Sequence, residues 1–305
     1  MGATLGGKWY GCGVSDVERI EFEGAGGLRL VADTAGPRNA DPVILLHGGG
    51  QTRFAWRRAL EDVAEHGWRA IALDSRGHGD SAWSTDGLYS VDSLCGDLHA
   101  VISTLDAKPV LVGASLGGNV AMITEGETPG TARALVLVDV APRLESAGVQ
   151  RIIDFMTARP DGFATLDEAA DAVAAYNPSR ARPEGNQGLA KNLRLGDDGR
   201  WRWHWDPCFM QMDAAHRGAR VAELRQRMEA AVACVRIPTL LIRGAQSDVV
   251  SLDAVKALKA QIPHLETTDV GGAGHMVAGD RNDHFNAALL GFLDRLGDGY
   301  PRQAQ

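Results

Sequence analysis

No uninterrupted apolar run in this 305-residue chain approaches the ~18 residues that a membrane-spanning helix requires. The first residues also lack the apolar core of a signal peptide, so no membrane and a cytoplasmic location are the expectations. Positive charge is in deficit: 31 Lys and Arg against 39 Asp and Glu give a formal net charge of −8. Such a balance argues against nucleic acid and against anionic membranes as partners. The cysteines are few and scattered (Cys12, Cys95, Cys208, Cys234) with no C-x-x-C pair. That spacing fits reduced, mostly structural thiols better than a disulfide framework or a zinc site, and no metal is expected. No loop leads phosphate-cradling glycines to a lysine, so no nucleotide or other cofactor is expected. Low-complexity tracts and internal repeats are absent.

What is present is a recurrent strand, glycine-rich turn and helix. Residues 20–22 and 28–32 flank Gly24, Gly26 and Gly27 and read as a hairpin. Continuous apolar runs at 43–46, 70–73, 110–112, 134–138 and 239–242 read as strands buried on both faces. Amphipathic helical segments at 54–66 and 91–105 lie between them. This alternation predicts an α/β fold, a mostly parallel central sheet flanked by helices. Over 142–234 the buried-strand signal vanishes and the composition becomes helical, as in the Ala-rich run 168–176. Strand signal then returns at Ile237, followed by a helix near 252–261, a strand near 265–270 and a closing helix near 282–296. The predicted organisation is a core of 15–141 and 235–300 carrying a helical insertion, 142–234, over its strand ends.

Ser115 stands in Gly113-Ala114-Ser115-Leu116-Gly117, between a buried strand and a helix. A sharp strand-to-helix turn strains the serine backbone and demands small residues two before and two after it. The hydroxyl then sits at a helix N-terminus, where the dipole favours developing negative charge. Ser115 is therefore the candidate nucleophile. Attack on a carbonyl creates an oxyanion that needs two backbone donors. The N–H of Leu116 is one, and the turn His47-Gly48-Gly49-Gly50 supplies the other, assigned to Gly49. His47 is read as shaping that turn. His275, on the loop Gly271-Gly272-Ala273-Gly274, is the candidate base. Two aspartates follow buried strands, Asp139 and Asp248; Asp248 is preferred as the acid because it holds the usual chain position for the order Ser, Asp, His.

These features together resemble the α/β-hydrolase fold family, serine esterase-like branch with a helical cap, over about 20–296. Asp74-Ser75-Arg76-Gly77-His78-Gly79-Asp80-Ser81 is similar to the family's D-x-R-G-x-G-x-S segment, which the resemblance makes structural. The family's epoxide hydrolases and haloalkane dehalogenases carry aspartate where this chain has Ser115, so the resemblance implies acyl-enzyme chemistry on esters, thioesters, lactones or activated amides. It also implies that 142–234 is the cap.

Aromatic residues are only 6% of the chain, yet three of its seven tryptophans fall in Trp201-Arg202-Trp203-His204-Trp205. Phe209, Met210 and Met212 follow. Trp203, Trp205, Phe209, Met210 and Phe54 are the candidate substrate-binding residues, with Trp56 also bordering the pocket; equally, the tryptophans pin the cap to the core. Asp206 reads as a helix cap. The expected activity is hydrolysis of a small or medium hydrophobic ester, possible aromatic substrates included, through an acyl-enzyme. The alternatives are a carbon–carbon hydrolase of the ring-cleavage-product type, with Arg180, Arg182 or Arg194 as carboxylate anchor, a cofactor-free perhydrolase, or a ligand-sensing protein on the same fold.

Overall fold

The computed structural model of the chain describes residues 16–176, 185–210, 214–277 and 282–298. Its strands are β1 (Glu18–Glu23), β2 (Arg29–Ala35), β3 (Pro42–Leu46), β4 (Arg69–Leu73), β5 (Val110–Ala114), β6 (Ala134–Val138), β9 (Thr239–Gly244) and β10 (Glu266–Val270), with β7 and β8 lying outside this sheet. They form one eight-stranded sheet in the order β1-β2-β4-β3-β5-β6-β9-β10. Only the β1–β2 and β2–β4 pairings are antiparallel; β4, β3, β5, β6, β9 and β10 run parallel.

The apolar runs form strands because both sheet faces are covered. Side chains alternate across a strand, and in β3 Ile44 and Leu46 enter one core while Val43 and Leu45 enter the other. β5 and β6 divide the same way, with Leu111, Leu135 and Leu137 opposite Val110, Val112 and Val136. The first face is covered by α2 (Val91–Ser103), α3 (Leu116–Glu127), α7 (Ala214–Val232) and α8 (Leu252–Gln261). The second is covered by α1 (Arg57–Glu65) and the closing helix α9 (Asn282–Asp298). Among the described residues no helix is long and apolar enough to cross a membrane.

Between β6 and β9 the chain leaves the sheet. It forms α4 (Ser146–Thr157), α5 (Leu166–Tyr176), α6 (Gln187–Ala190), the hairpin strands β7 (Leu193–Leu195) and β8 (Trp201–Trp203), a 3-10 turn Pro207–Met210 and then α7. The hairpin departs from the purely helical expectation. Arg200-Trp201-Arg202-Trp203 alternates with period two, and Asp197-Asp198-Gly199 supplies the turn, with Gly199 at φ 75°. Trp201 and Trp203 pack on Phe163, Ala169 and Leu193, while Arg202 on the opposite face pairs with Asp198 at 2.6 Å.

Phe292 of α9 is fully buried in the second core. Its replacement by alanine removes a large apolar group and leaves a cavity, so Phe292→Ala is expected to lose about 3–5 kcal/mol, read as a lower urea midpoint at unchanged slope.

Candidate active site

Ser115 sits between β5 and α3 at φ 45°, ψ −110°, a conformation that L-residues adopt only when their surroundings force it. Its N–H donates to Val138 O at 3.2 Å and Gly117 N–H donates to His47 O at 3.1 Å. The flanking glycines are required sterically: a Cβ on Gly113 would overlap the carbonyl of Gly117, and one on Gly117 would overlap the carbonyl of Leu46. The elbow is therefore wedged between the carboxyl ends of β3 and β6. Ser115 remains partly exposed.

His275 Nδ1 lies 2.7 Å from Oδ2 of Asp139, not from Asp248. This corrects the acid preferred from the sequence. Asp139 directly follows β6, and Ala114 pairs with Val138 in register, so the ends of β5 and β6 put Ser115 and Asp139 side by side. Asp139 is fully buried and, like Ser115, has a positive φ of 48°. Its carboxylate also accepts Gly244 N–H on Oδ1 (3.0 Å) and Ser247 Oγ–H on Oδ2 (2.6 Å). The direction of the Ser247 bond is fixed, because its oxygen accepts the N–H groups of Val249 and Val250 at 3.1 and 3.0 Å. This local turn aims residue 247 inward and residue 248 outward. Asp248 accordingly pairs with Arg151 of α4 at 2.9 Å, with 38% of its side chain exposed. The histidine loop reaches the site by close packing: a Cβ on Gly244 would overlap Gly274 O, and Gln246 N–H donates to Ala273 O at 2.9 Å. A carboxylate at Nδ1 fixes the proton there and leaves Nε2 with its lone pair free to accept one.

The turn after β3 commits its amides one by one. Gly48 N–H donates to Gln51 Oε1 (3.0 Å), Gly50 N–H to His78 Nε2 (3.1 Å) and Gln51 N–H back to Gly48 O (3.0 Å). Among the described residues, the N–H of Gly49 in this turn and that of Leu116 at the start of α3 have no hydrogen-bond partner. Both candidate oxyanion donors are thus unspent. Gln51, which the sequence reading passed over, is a neighbour of Ser115: a Cβ on Gly48 would lie 3.1 Å from Gln51 Oε1 and 3.5 Å from Ser115 Cβ.

Of the candidate substrate-binding residues, Phe209 and Trp205 meet this turn. A Cβ on Gly49 would lie 3.7 Å from the Phe209 ring and 4.0 Å from Leu116 Cδ2; one on Gly50 would lie 3.0 Å from Met156 and 3.3 Å from Trp205. Trp203 stacks on Trp205 with ring centroids 5.0 Å apart. Met210 ends the 3-10 turn and is partly exposed. Phe54 instead lies under the Arg53 guanidinium, 4.3 Å from its carbon, and Trp56 is buried in the second core against Phe285. Asp206 caps Cys208 N–H at 2.9 Å and also accepts the Tyr89 hydroxyl. Arg194 is committed to Gly79 O and to the face of Trp83; Arg180, Arg182 and Met212 lie outside the described residues.

Three buried histidines bind the turn to its neighbours. His47 donates from Nδ1 to Gly48 O (2.8 Å) and accepts Ser75 N–H on Nε2 (3.0 Å). His78 donates from Nδ1 to Arg76 O (3.1 Å) and accepts Gly50 N–H. His204 accepts Gly79 N–H on Nδ1 (2.8 Å) and donates from Nε2 to Gly50 O (3.3 Å). Each ring uses one nitrogen as donor and the other as acceptor, the pattern of a neutral imidazole. All six nitrogens are spent on backbone, which leaves no lone pair for a metal. Burial pushes His47 down to about 4 and His78 down to about 3, and it holds His204 well below the usual histidine range.

Comparison with known proteins agrees with this fold. A family model described as the alpha/beta hydrolase fold matches residues 41–281. The esterase Rv0045c of Mycobacterium tuberculosis is 30% identical over 92% of this chain and 89% of its own length. The non-heme chloroperoxidase CPO-A1 of Kitasatospora aureofaciens is 30% identical over 83% of this chain and 92% of its own. A crystal structure of Rv0045c superposes with a TM-score of 0.71 at 30% identity, covering 92% of each chain. That of E-2-(acetamidomethylene)succinate hydrolase superposes at 0.79 and 21% identity, covering 92% and 100%, a likeness of fold.

The histidines make stability depend on pH with a definite sign. Their folded pKa values lie below the unfolded value near 6.5, so only the unfolded chain takes up protons as pH falls from there toward 4. Stability is complete above about pH 6.5 and is lost at about 1.4 kcal/mol per pH unit per histidine below it. Urea midpoints measured from pH 7 to 5 are expected to fall steeply, and a His78→Asn variant to show a shallower fall.

Proposed function

Because the chain belongs to the α/β-hydrolase fold family, we propose that it is a serine hydrolase cleaving a hydrophobic carboxylic ester through an acyl-enzyme. The observation that supports this reading is the strained Ser115 at the β5–α3 elbow, with the His275–Asp139 pair on the adjoining strand end. Ser115 Oγ attacks the ester carbon while His275 Nε2 takes its proton. Asp139 holds the imidazole by Nδ1 and stabilises the imidazolium that forms. The carbonyl oxygen becomes an oxyanion facing the N–H groups of Gly49 and Leu116, each such donor contributing about 3 kcal/mol to the barrier reduction. His275 returns the proton to the departing alcohol, and a water activated by the same nitrogen releases the acid and restores the serine.

The insertion over 142–234 acts as the cap. Phe209, Trp205, Met156 and Leu116 gather around the oxyanion turn and give the substrate an apolar wall with adaptable methionine sulfur. The similarity to a chloroperoxidase that needs no haem favours one second reading: hydrogen peroxide replaces water at the acyl-enzyme, giving a peracid and free Ser115.

The test is turnover of p-nitrophenyl acetate, butyrate and octanoate, repeated with acetate and hydrogen peroxide. Ser115→Ala is expected to abolish turnover at an unchanged melting temperature. Asp139→Asn should lower kcat by about 10⁴, as a histidine held in the wrong tautomer does elsewhere, whereas Asp248→Asn should stay within about threefold of wild type. Full activity in Asp139→Asn with loss in Asp248→Asn would return the acid role to Asp248.

A further inference from the structure

Gly50, one residue beyond the proposed donor Gly49, is held at both its N–H and its carbonyl by buried histidines. His78 takes its N–H and His204 donates to its carbonyl. The two histidines come from different parts of the molecule. His78 lies on the core loop after β4, while His204 follows β8 in the insertion. His204 is 2% exposed and also accepts Gly79 N–H, so a single insertion side chain ties the oxyanion turn to the loop that carries His78. Gly50 is at φ 75°, with Met156 and Trp205 of the insertion packed where a side chain would begin. Backbone bonds seat the ring: His204 N–H donates to Asn192 O at 3.2 Å, and Asp206 N–H donates to Gly77 O at 2.8 Å.

Gly48 and Gln51 fix one side of Gly49 from within the turn. The other side is fixed through Gly50, and among the described residues the carbonyl half of that restraint is supplied by the insertion alone. We propose that His204 is a positioning residue that makes the oxyanion turn conditional on seating of the insertion: when the cap is docked, His204 orients the Gly49–Gly50 segment for oxyanion binding, and when it lifts, the turn loses that orientation. The cap then couples substrate enclosure to the donor geometry instead of serving only as a wall. This inference rests on the serine-hydrolase reading for its catalytic consequence, but its geometric part does not.

Three variants separate the cases. His204→Phe keeps an aromatic ring and removes both hydrogen bonds. His204→Gln returns an N–H donor at the end of a side chain of similar reach. Tyr89→Phe removes a different cap–core hydrogen bond, to Asp206, without touching Gly50. Oxyanion binding rewards donors already in place, so His204→Phe is expected to lower kcat 10- to 100-fold with KM within about threefold. Its affinity for a trifluoromethyl ketone should weaken by the same factor as kcat. His204→Gln should recover most of the loss, and Tyr89→Phe should lower the melting temperature with kcat within about twofold. Amide hydrogen exchange of a peptide covering 47–53 should accelerate in His204→Phe and remain unchanged in Tyr89→Phe. Unchanged exchange in His204→Phe, or a kcat loss no larger than that of Tyr89→Phe, would overturn the proposal. A wild-type protein that hydrolyses no ester would instead sink the hydrolase reading, and the exchange measurement would still decide the role of His204.

Discussion

The site depends on a close backbone approach at the carboxyl ends of the central strands. Gly117 N–H meets His47 O just past β3, Ser115 N–H meets Val138 O of β6, and Asp139 N–H meets Ile242 O of β9 at 2.8 Å. Two non-glycine residues, Ser115 and Asp139, are held at positive φ there, at a cost on the order of 1–3 kcal/mol each. A parallel ladder buried on both faces cannot relax locally without opening its core, which is why the strain persists. The same ladder sets the spacing of Ser115 and Asp139, since neighbouring strands in register deliver their following residues to one edge of the sheet.

That edge explains why the carboxylate that meets His275 is Asp139. A buried carboxylate is tolerable only when its oxygens are satisfied, and Asp139 receives three donors, from Gly244, Ser247 and His275. Asp248 is one residue past the position that faces inward. The turn closed by Ser247 on Val249 and Val250 turns Asp248 toward Arg151 and solvent. A hydroxyl thus occupies the place where the usual chain position would put a carboxylate, and it donates to Asp139 after the neighbouring strand.

Around the turn after β3, the buried imidazoles carry no charge and the nearby ions are paired. Three histidines are kept neutral by burial and spend every ring nitrogen on backbone. Beside them Arg53, 4% exposed, is gripped by Asp33, Asp74 and Asp80, which fixes the segment leaving the turn. Preorganised dipoles are what an oxyanion requires, and networks of this kind stay rigid because leaving any member unpaired is expensive.

The sequence by itself determined the sheet and the strand-to-helix turn that carries Ser115. Buried parallel strands advertise themselves as short apolar runs, and G-x-S-x-G demands a strand before it and a helix after it. Glycines at 113 and 117 have no substitute when carbonyls lie against their Cα atoms. The hairpin over 193–203 was also written locally, in the period-two arginines and tryptophans and the Asp-Asp-Gly turn, although the helical composition around it masked the signal. Tertiary structure alone decided which aspartate meets His275, because strand adjacency and the direction of the Ser247 turn are not local properties of either segment. It also decided that Trp56 belongs to the core and that His204 reaches Gly50 across 154 positions of chain. A pattern read along the chain reports on neighbours in sequence, whereas a hydrogen bond between an insertion and the turn beneath it exists only once both have packed.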